Sequence, residues 1–343
     1  MGELTIKDIA NICGVGVSTV SRAINNHPDV NSRTKAQILK IIEEYNYIPN
    51  NSARNLRRTN SNTIAVLVKG ITNPFFAPFI KILGHEIEQQ KYSMLIHQVD
   101  ENADEIYTAS ELIKEKNLQG IIFLGGRFNH STEKLKQLSV PFVMCTTTAE
   151  AADLNSYSSV SVNDMDESYK AADYLCRLGH KNIAFILPEG DKSIGRNRLE
   201  GYKKALKAHH LPFNENLISY FPTGSGEYSL KNGYSCMQEL LNRKEFFTAI
   251  FAISDILAIG ACKAIIDAGK SIPKDYSVIG FDNIELSSYL NPPLTTISQP
   301  VNEIALKSVT ILFELIASEG SCTQQHIIFP GELIERGSCK SIE

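Results

Sequence analysis

The chain has 343 residues, 43% hydrophobic and 21% charged, enough for two or three domains with sizeable cores and ordinary for a globular protein. No apolar run approaches the ~20 residues of a bilayer-spanning helix and no apolar signal region opens the chain, so no membrane is expected and the cytoplasm is the expected location. The net charge of −4 divides unevenly: residues 1–60 hold eight Lys/Arg against five Asp/Glu, which makes the remainder −7, the sign expected of a basic nucleic-acid-reading segment on an acidic body.

At the N-terminus, Thr5 with Asp8 three residues on forms a capping-box-like start, and Ile6, Ile9 and Ala10 share one helical face. Gly14 supplies the positive φ that ends this helix, Gly16 stands at the next N-cap, and Val20 and Ile24 recur on the buried face of a second helix. Two short helices joined by a glycine-containing turn predict a helix-turn-helix, whose second helix enters the major groove. Its outward face carries Val17, Ser18, Ser21, Arg22 and Asn25, small or hydrogen-bonding groups near a helix N-terminus that suit phosphate contacts, while Arg22 has the fork to read guanine. Thr5, Gly16, Thr19 and Asn31 complete the DNA-contacting set expected of domain 1–50. Asn31 also caps a third helix, in which Ala36, Ile38, Leu39, Ile41 and Ile42 form the apolar stripe that closes a three-helix core. Next comes Asn51-Ser-Ala-Arg-Asn-Leu-Arg-Arg58, where one leucine among three arginines cannot bury itself in a core. Ala53, Arg54 and Leu56 are therefore expected in a hinge helix, 51–61, that folds on DNA, its arginines on phosphates and Leu56 wedged between bases in the minor groove.

From residue 62 the hydrophobic period changes. Thr63–Val68, Ser93–Ile96, Gly120–Leu124 and Pro141–Cys145 are short apolar runs with helix-length segments between them, as in a parallel sheet covered on both faces. A second set starts near Val160-Ser-Val162 and continues through Asn182–Leu187, Thr248–Ala252 and Tyr276–Gly280, which implies two Rossmann-like lobes. In such sheets ligands bind beyond the carboxyl ends of the strands, so a cleft between the lobes is the expected ligand site. Ile71-Thr-Asn-Pro-Phe-Phe76 follows the first strand directly; Phe75 and Phe76 beside Asn73 suit a sugar, whose C–H faces stack while its hydroxyls bond, and they suit core packing equally well.

Several motifs run in order along the whole chain: Thr5–Ala10, Val17–Arg22, Tyr47-Ile-Pro-Asn50, Ala53–Leu56, Ile71–Phe76, Arg198-Leu-Glu-Gly-Tyr202, Ser254-Asp255, Gly280-Phe-Asp-Asn283 and Pro293–Pro300. On these the chain resembles the LacI/GalR family of bacterial transcriptional repressors. The resemblance implies an N-terminal all-α helix-turn-helix domain followed by an α/β periplasmic-binding-protein-like effector and dimerisation domain, 62–343, of two lobes with parallel sheets. The first lobe would span 62–160 plus 292–322, the second 161–291 plus 323–343. It implies a homodimer on a pseudo-palindromic double-stranded DNA operator, switched by a small-molecule effector, with a sugar expected and a purine or phosphoprotein corepressor as the alternative. Asn73, Phe75, Phe76, Arg198, Tyr228, Asp255 and Asp282 match positions that meet the effector, Arg198 as a hydrogen-bond donor and Asp255 as an acceptor. Read from the residues alone, Arg198 suits a solvated helix end, and Asp255 or Ser254 a helix cap. Gly16 departs from the serine common in the family, while Lys192 and Ile194 are diagnostic of neither purine- nor lactose-type members. Without a leucine heptad after Glu335-Arg336, a dimer rather than a tetramer is expected.

Catalysis is not expected. Gly14-Val-Gly16 and Gly224-Ser-Gly226 are fragments of glycine fingerprints, and GxxxxGK[ST], GxSxG and HExxH are missing from the sequence. Eight histidines show no ligand spacing, and the seven cysteines, at 13, 145, 176, 236, 262, 322 and 339, are odd in number and never in CxxC, so neither a metal, a cofactor nor a disulfide framework is expected. A free periplasmic-type binding protein would share the lobes but carry a signal peptide where this chain has residues 1–60.

Overall fold

The computed structural model of the chain describes residues 5–24, 27, 29–45, 62–100, 103–126, 130–148, 153–190, 193–222, 228–243, 245–318 and 323–342. It divides into two units, Met1–Ser61 and Asn62–Glu343. In the first, α1 (Ile6–Cys13), α2 (Val17–Ile24) and α3 (Ser32–Glu44) pack around Ile9, Ala10, Val20, Ala23 and Ile38. Thr5 opens α1 with a full capping box, donating its backbone N–H to Asp8 Oδ2 at 2.8 Å, and Gly14 closes it at φ 67°, a conformation that a Cβ would strain. Asn31 Oδ1 accepts from the Arg33 amide at 2.9 Å and so caps α3 as its position predicts. The stripe on α3 is narrower than its sequence suggests: Ile38 is fully buried and Ile41 and Ile42 pack beside it, but Ala36 and Leu39 are exposed. Two eight-residue partner helices cover only one side of a longer third.

The second unit holds two six-stranded sheets. The first has the order β11-β5-β4-β3-β1-β2, all parallel: β1 (Thr63–Lys69), β2 (Ser93–Val99), β3 (Gly120–Leu124), β4 (Phe142–Cys145), β5 (Ser158–Ser161) and β11 (His326–Ile328). Around it pack α4 (Phe76–Gln89), α5 (Glu105–Lys116), the single turn α6 (Thr132–Leu135) and α11 (Val301–Ala317). The second has the order β12-β10-β9-β8-β6-β7, from β6 (Ile183–Pro188), β7 (Ile218–Phe221), β8 (Ala249–Ala252), β9 (Ser277–Asp282), β10 (Thr295–Ser298) and β12 (Glu332–Ile334), with only the β10–β12 pair antiparallel. It is covered by α7 (Asp164–Arg177), α8 (Ile194–Ala208), α9 (Leu230–Asn242) and α10 (Asp255–Asp267). Strands β1, β3, β6, β8 and β9 are buried on both faces through most of their length, which is why they read as continuous apolar runs.

The lobe boundaries differ from those expected. The strand around Val160 belongs to the first sheet, with Val160 between Cys145 and Ile327, and does not begin the second set. Strand β10, assigned by sequence to the first lobe, pairs with β9 in the second, and β11, assigned to the second, pairs with β5 in the first. The crossings thus fall at 162–163, 299–300 and 329–331, just beyond the ends of β5, β10 and β11. A strand that ends at a crossing completes its own sheet before the chain leaves, so the boundary follows the last paired residue.

Candidate functional site

On α2 the apolar residues Val20 and Ala23 are buried, which leaves Val17, Ser18 and Arg22 exposed and Thr19 and Ser21 half-buried. Val17 is 41% exposed, although hydrophobic and at the first position of the helix. Thr5, Gly16 and Asn31 are exposed as well, and the Gly16 carbonyl accepts from the amides of Thr19 and Val20. A row of small polar groups and one arginine on an exposed helix face can touch phosphates and base edges. Asn25, Ala53, Arg54 and Leu56 lie outside the described residues.

The second unit contains a cavity of about 730 Å³, its open mouth included, walled by residues of both lobes. Asn73, Phe75, Phe76, Arg198, Tyr228 and Asp282 all line it, six of the seven effector residues expected. Asn73 Oδ1 accepts from the Phe75 amide at 3.1 Å, a turn that starts the segment leading into α4 and leaves Nδ2 without a protein partner among the described residues. Phe75 and Phe76 are both buried, with centroids 5.3 Å apart, so the pair is core and wall at once. Gly125 admits this packing: at φ 71° it faces the Phe76 ring, which an added Cβ would approach to 2.5 Å.

Arg198 is no solvated helix end. It is 5% exposed, donates from Nε to Asp164 Oδ1 at 2.8 Å and from Nη1 to the Ile253 carbonyl, and lies 3.5 Å from the centroid of Phe281. Burial works against its charge, but Asp164 and then Asp282 outweigh that and hold its pKa above the ordinary value. Asp282 accepts from Gln299 Nε2 at 2.8 Å and sits at φ 109°, outside the region most residues occupy. Burial pushes its carboxyl up to about 8, with the neighbouring Asp255 and Asp164 charges adding and Arg198 opposing. Thr146, also on the wall, has φ 72°, so two non-glycine residues hold costly backbone conformations here.

Asp255 departs from its expected role. It is fully buried, absent from the cavity wall, and accepts from the Ser287 hydroxyl, from the Thr296 hydroxyl at 2.6 Å and from the Ile284 amide at 2.9 Å. With both oxygens engaged, it ties α10 to the turn Glu285–Ser288 and to β10, and burial raises its pKa to about 6. Ser254 at the helix start makes no side-chain cap, and its hydroxyl is buried without a protein partner among the described residues. The sequence reading missed Lys69, Gly70, Gly125, Gly126, Thr146, Ile194 and Gln299, all on the cavity wall. Most follow the last residues of β1, β3, β4 and β10, and taking the residues at every strand's carboxyl end would have found them.

Residues 5–50 match the family model described as bacterial regulatory proteins, lacI family, and residues 172–339 match a periplasmic binding protein-like domain. Over 342 residues, 99% of this chain and 100% of the relative, the sequence is 43% identical to the HTH-type transcriptional regulator MalR of Clostridium butyricum. The chain belongs to the lacI family. Among other relatives of this lacI-family regulator, the HTH-type transcriptional repressor PurR of Pasteurella multocida is 32% identical, over 98% of this chain and 99% of the relative. A solved lacI-family regulator from Enterococcus faecium, with bound ribose, superposes at TM-score 0.69 and 30% identity, covering 82% of this chain and 100% of its own. The lac repressor dimer bound to operator and the anti-inducer ONPF shares the fold at TM-score 0.75 and 24% identity, over 99% of this chain and 100% of that one. The lacI-family members are DNA-binding transcriptional regulators with an effector domain, and both parts are present here. Among the described residues no helix is long and apolar enough to cross a membrane.

Proposed function

We propose that this lacI-family regulator is a repressor that binds a pseudo-palindromic operator as a cytoplasmic homodimer and is switched by a neutral sugar seated between the lobes. The observation that carries the sugar is the composition of the cavity wall: two aromatic rings at one place, and amide, guanidinium and carboxyl groups of both lobes around them. Rings stack on C–H faces, and Asn73, Arg198 and Asp282 supply donors and an acceptor for hydroxyls. The solved lacI-family regulator with bound ribose supports a sugar here, and maltose is the first sugar to try given the likeness to MalR. A ligand held by Arg198 and Asp282 of the second lobe and by Asn73, Phe75 and Phe76 of the first interacts differently with open and closed arrangements of the lobes, and such differential binding is what shifts a two-state equilibrium.

Thermal melting of the full-length protein with maltose, other sugars and purine bases tests the reading. A ligand at a hundred times its Kd adds ~2.7 kcal/mol of stability. Stabilisation by maltose, together with a changed affinity for operator DNA, is the expected result. Stabilisation by purine bases alone would replace the sugar with a purine corepressor, as the likeness to PurR would then suggest.

A further inference from the structure

Lys69 is the last residue of β1 and part of the cavity wall, with a side chain only 12% exposed. Its ammonium donates to Glu105 Oε1 at 2.6 Å and to the Ala103 carbonyl at 3.0 Å. Glu105, the first residue of α5, is itself buried, and its other oxygen lies 3.2 Å from His130 Nε2. One residue earlier, Asp104 caps α5 by accepting from the Ile106 and Tyr107 amides and pairs with Lys134. The carboxylate that holds Lys69 is therefore fixed by helix and histidine together. The carboxylates of Asp104 and Glu105 with His130 stand close enough to hold a cation, but Lys134 and Lys69 already occupy them with ammonium groups.

An ammonium carries three N–H donors. Two are engaged by Glu105 and Ala103, and the third has no protein partner among the described residues. Polar groups at a buried wall are satisfied by solvent or by a ligand. We infer that Lys69 is an effector-binding residue of the first lobe, its third N–H donating to a hydroxyl or ring oxygen of the sugar, with Glu105 as its positioning residue. The inference rests on the sugar reading above. It makes the two lobes alike in design: each offers the cavity one cation, Lys69 or Arg198, already paired with a carboxylate, Glu105 or Asp164. A cation neutralised from behind asks for an acceptor oxygen on the ligand and not for a negative charge, which is what a neutral sugar supplies.

Calorimetric titration of full-length protein with maltose and with each monodeoxymaltose provides the test. Lys69→Met alone would leave Glu105 without its ammonium and endanger folding, so Lys69→Met with Glu105→Gln is the primary variant, its melting temperature checked first. The double variant should bind maltose about 10- to 100-fold more weakly than the parent, the worth of one charge-assisted hydrogen bond. One monodeoxymaltose, lacking the oxygen that Lys69 meets, should bind the parent more weakly by a similar factor and bind the double variant with no further loss. Glu105→Gln alone should weaken maltose less and keep the penalty for that same deoxy sugar, since Lys69 is still present. Undiminished maltose affinity in the double variant, or equal additional losses for every deoxy sugar, would overturn the assignment while leaving the sugar reading intact. A parent protein that binds none of these sugars would overturn both.

Discussion

Separating sensing from reading is the decisive test of the cavity, and Arg198 is the residue on which to perform it. Guanidinium has five N–H donors, of which one goes to Asp164 and one to the Ile253 carbonyl, so three remain among the described residues for a ligand. Two charge-assisted bonds to a sugar at ~1.5 kcal/mol each sum to ~3 kcal/mol, about 150-fold in Kd. Arg198→Ala alone would confound this, because removing one partner of a buried ion pair costs ~3–5 kcal/mol of stability. Arg198→Met with Asp164→Asn removes charge from both sides and keeps most of the packing against Phe281. The double variant should bind operator DNA in fluorescence anisotropy but fail to respond to maltose at concentrations that saturate the parent. In cells, an induced repressor so altered would repress permanently, whereas a corepressed one would be permanently derepressed. An unchanged maltose response would refute the reasoning, since Arg198 would then be a structural charge and the ligand would have to be held by other residues.

Three further outcomes follow from other parts of the molecule. Exchanging the exposed Val17 and Ser18 for other residues should alter which operator bases are preferred, by ~1–3 kcal/mol at each affected base pair, while general DNA affinity persists; a binding-site selection that returns the parental sequence counts against their role. Asp282, with its carboxyl pushed up to about 8 from an unfolded value near 4, makes the native state hold a proton that the unfolded chain releases, so stability falls as pH rises through that window. Asp282→Asn cannot ionise and should lose less melting temperature than the parent between pH 5 and 8.5, and equal losses would show that the carboxyl is ionised throughout. Gly201 lets α8 pack on α7, since an added Cβ would stand 2.1 Å from the Met165 carbonyl oxygen; Gly201→Ala should cost ~1–3 kcal/mol, read as a lower urea midpoint, and an unmoved midpoint would contradict the packing.

How much of this was legible in the sequence depends on how local each signal is. Thr5, Gly14 and Asn31 announce helix ends because a cap is a contact within a few residues, and all three occupy the expected places. The long strands were visible because burial on both faces leaves a continuous apolar run. Strand β11 has only three residues and β7 has an exposed tyrosine in the middle, and neither carries such a run. Asp255 shows the opposite limit: Ser254-Asp255 identifies the helix start, but whether the carboxylate faces a ligand or the protein is decided by Ser287 and Thr296, more than thirty residues away. Lys69 had no motif of its own, and only the fold brings it to Glu105 and the cavity wall.

The three passages of the chain between the sheets bear on what a ligand can make this unit do. A pair of bodies joined by one strand of chain can twist, slide and separate, whereas each further tie between them removes some of that freedom, and here there are three. A ligand contact that draws the lobes together works against those same three ties, whichever hydroxyl makes it. The ties at 162–163, 299–300 and 329–331 are the same for every ligand, whereas the wall residues differ in which ligand groups they meet. Ligand specificity could then drift in evolution through the wall, leaving the motion itself untouched.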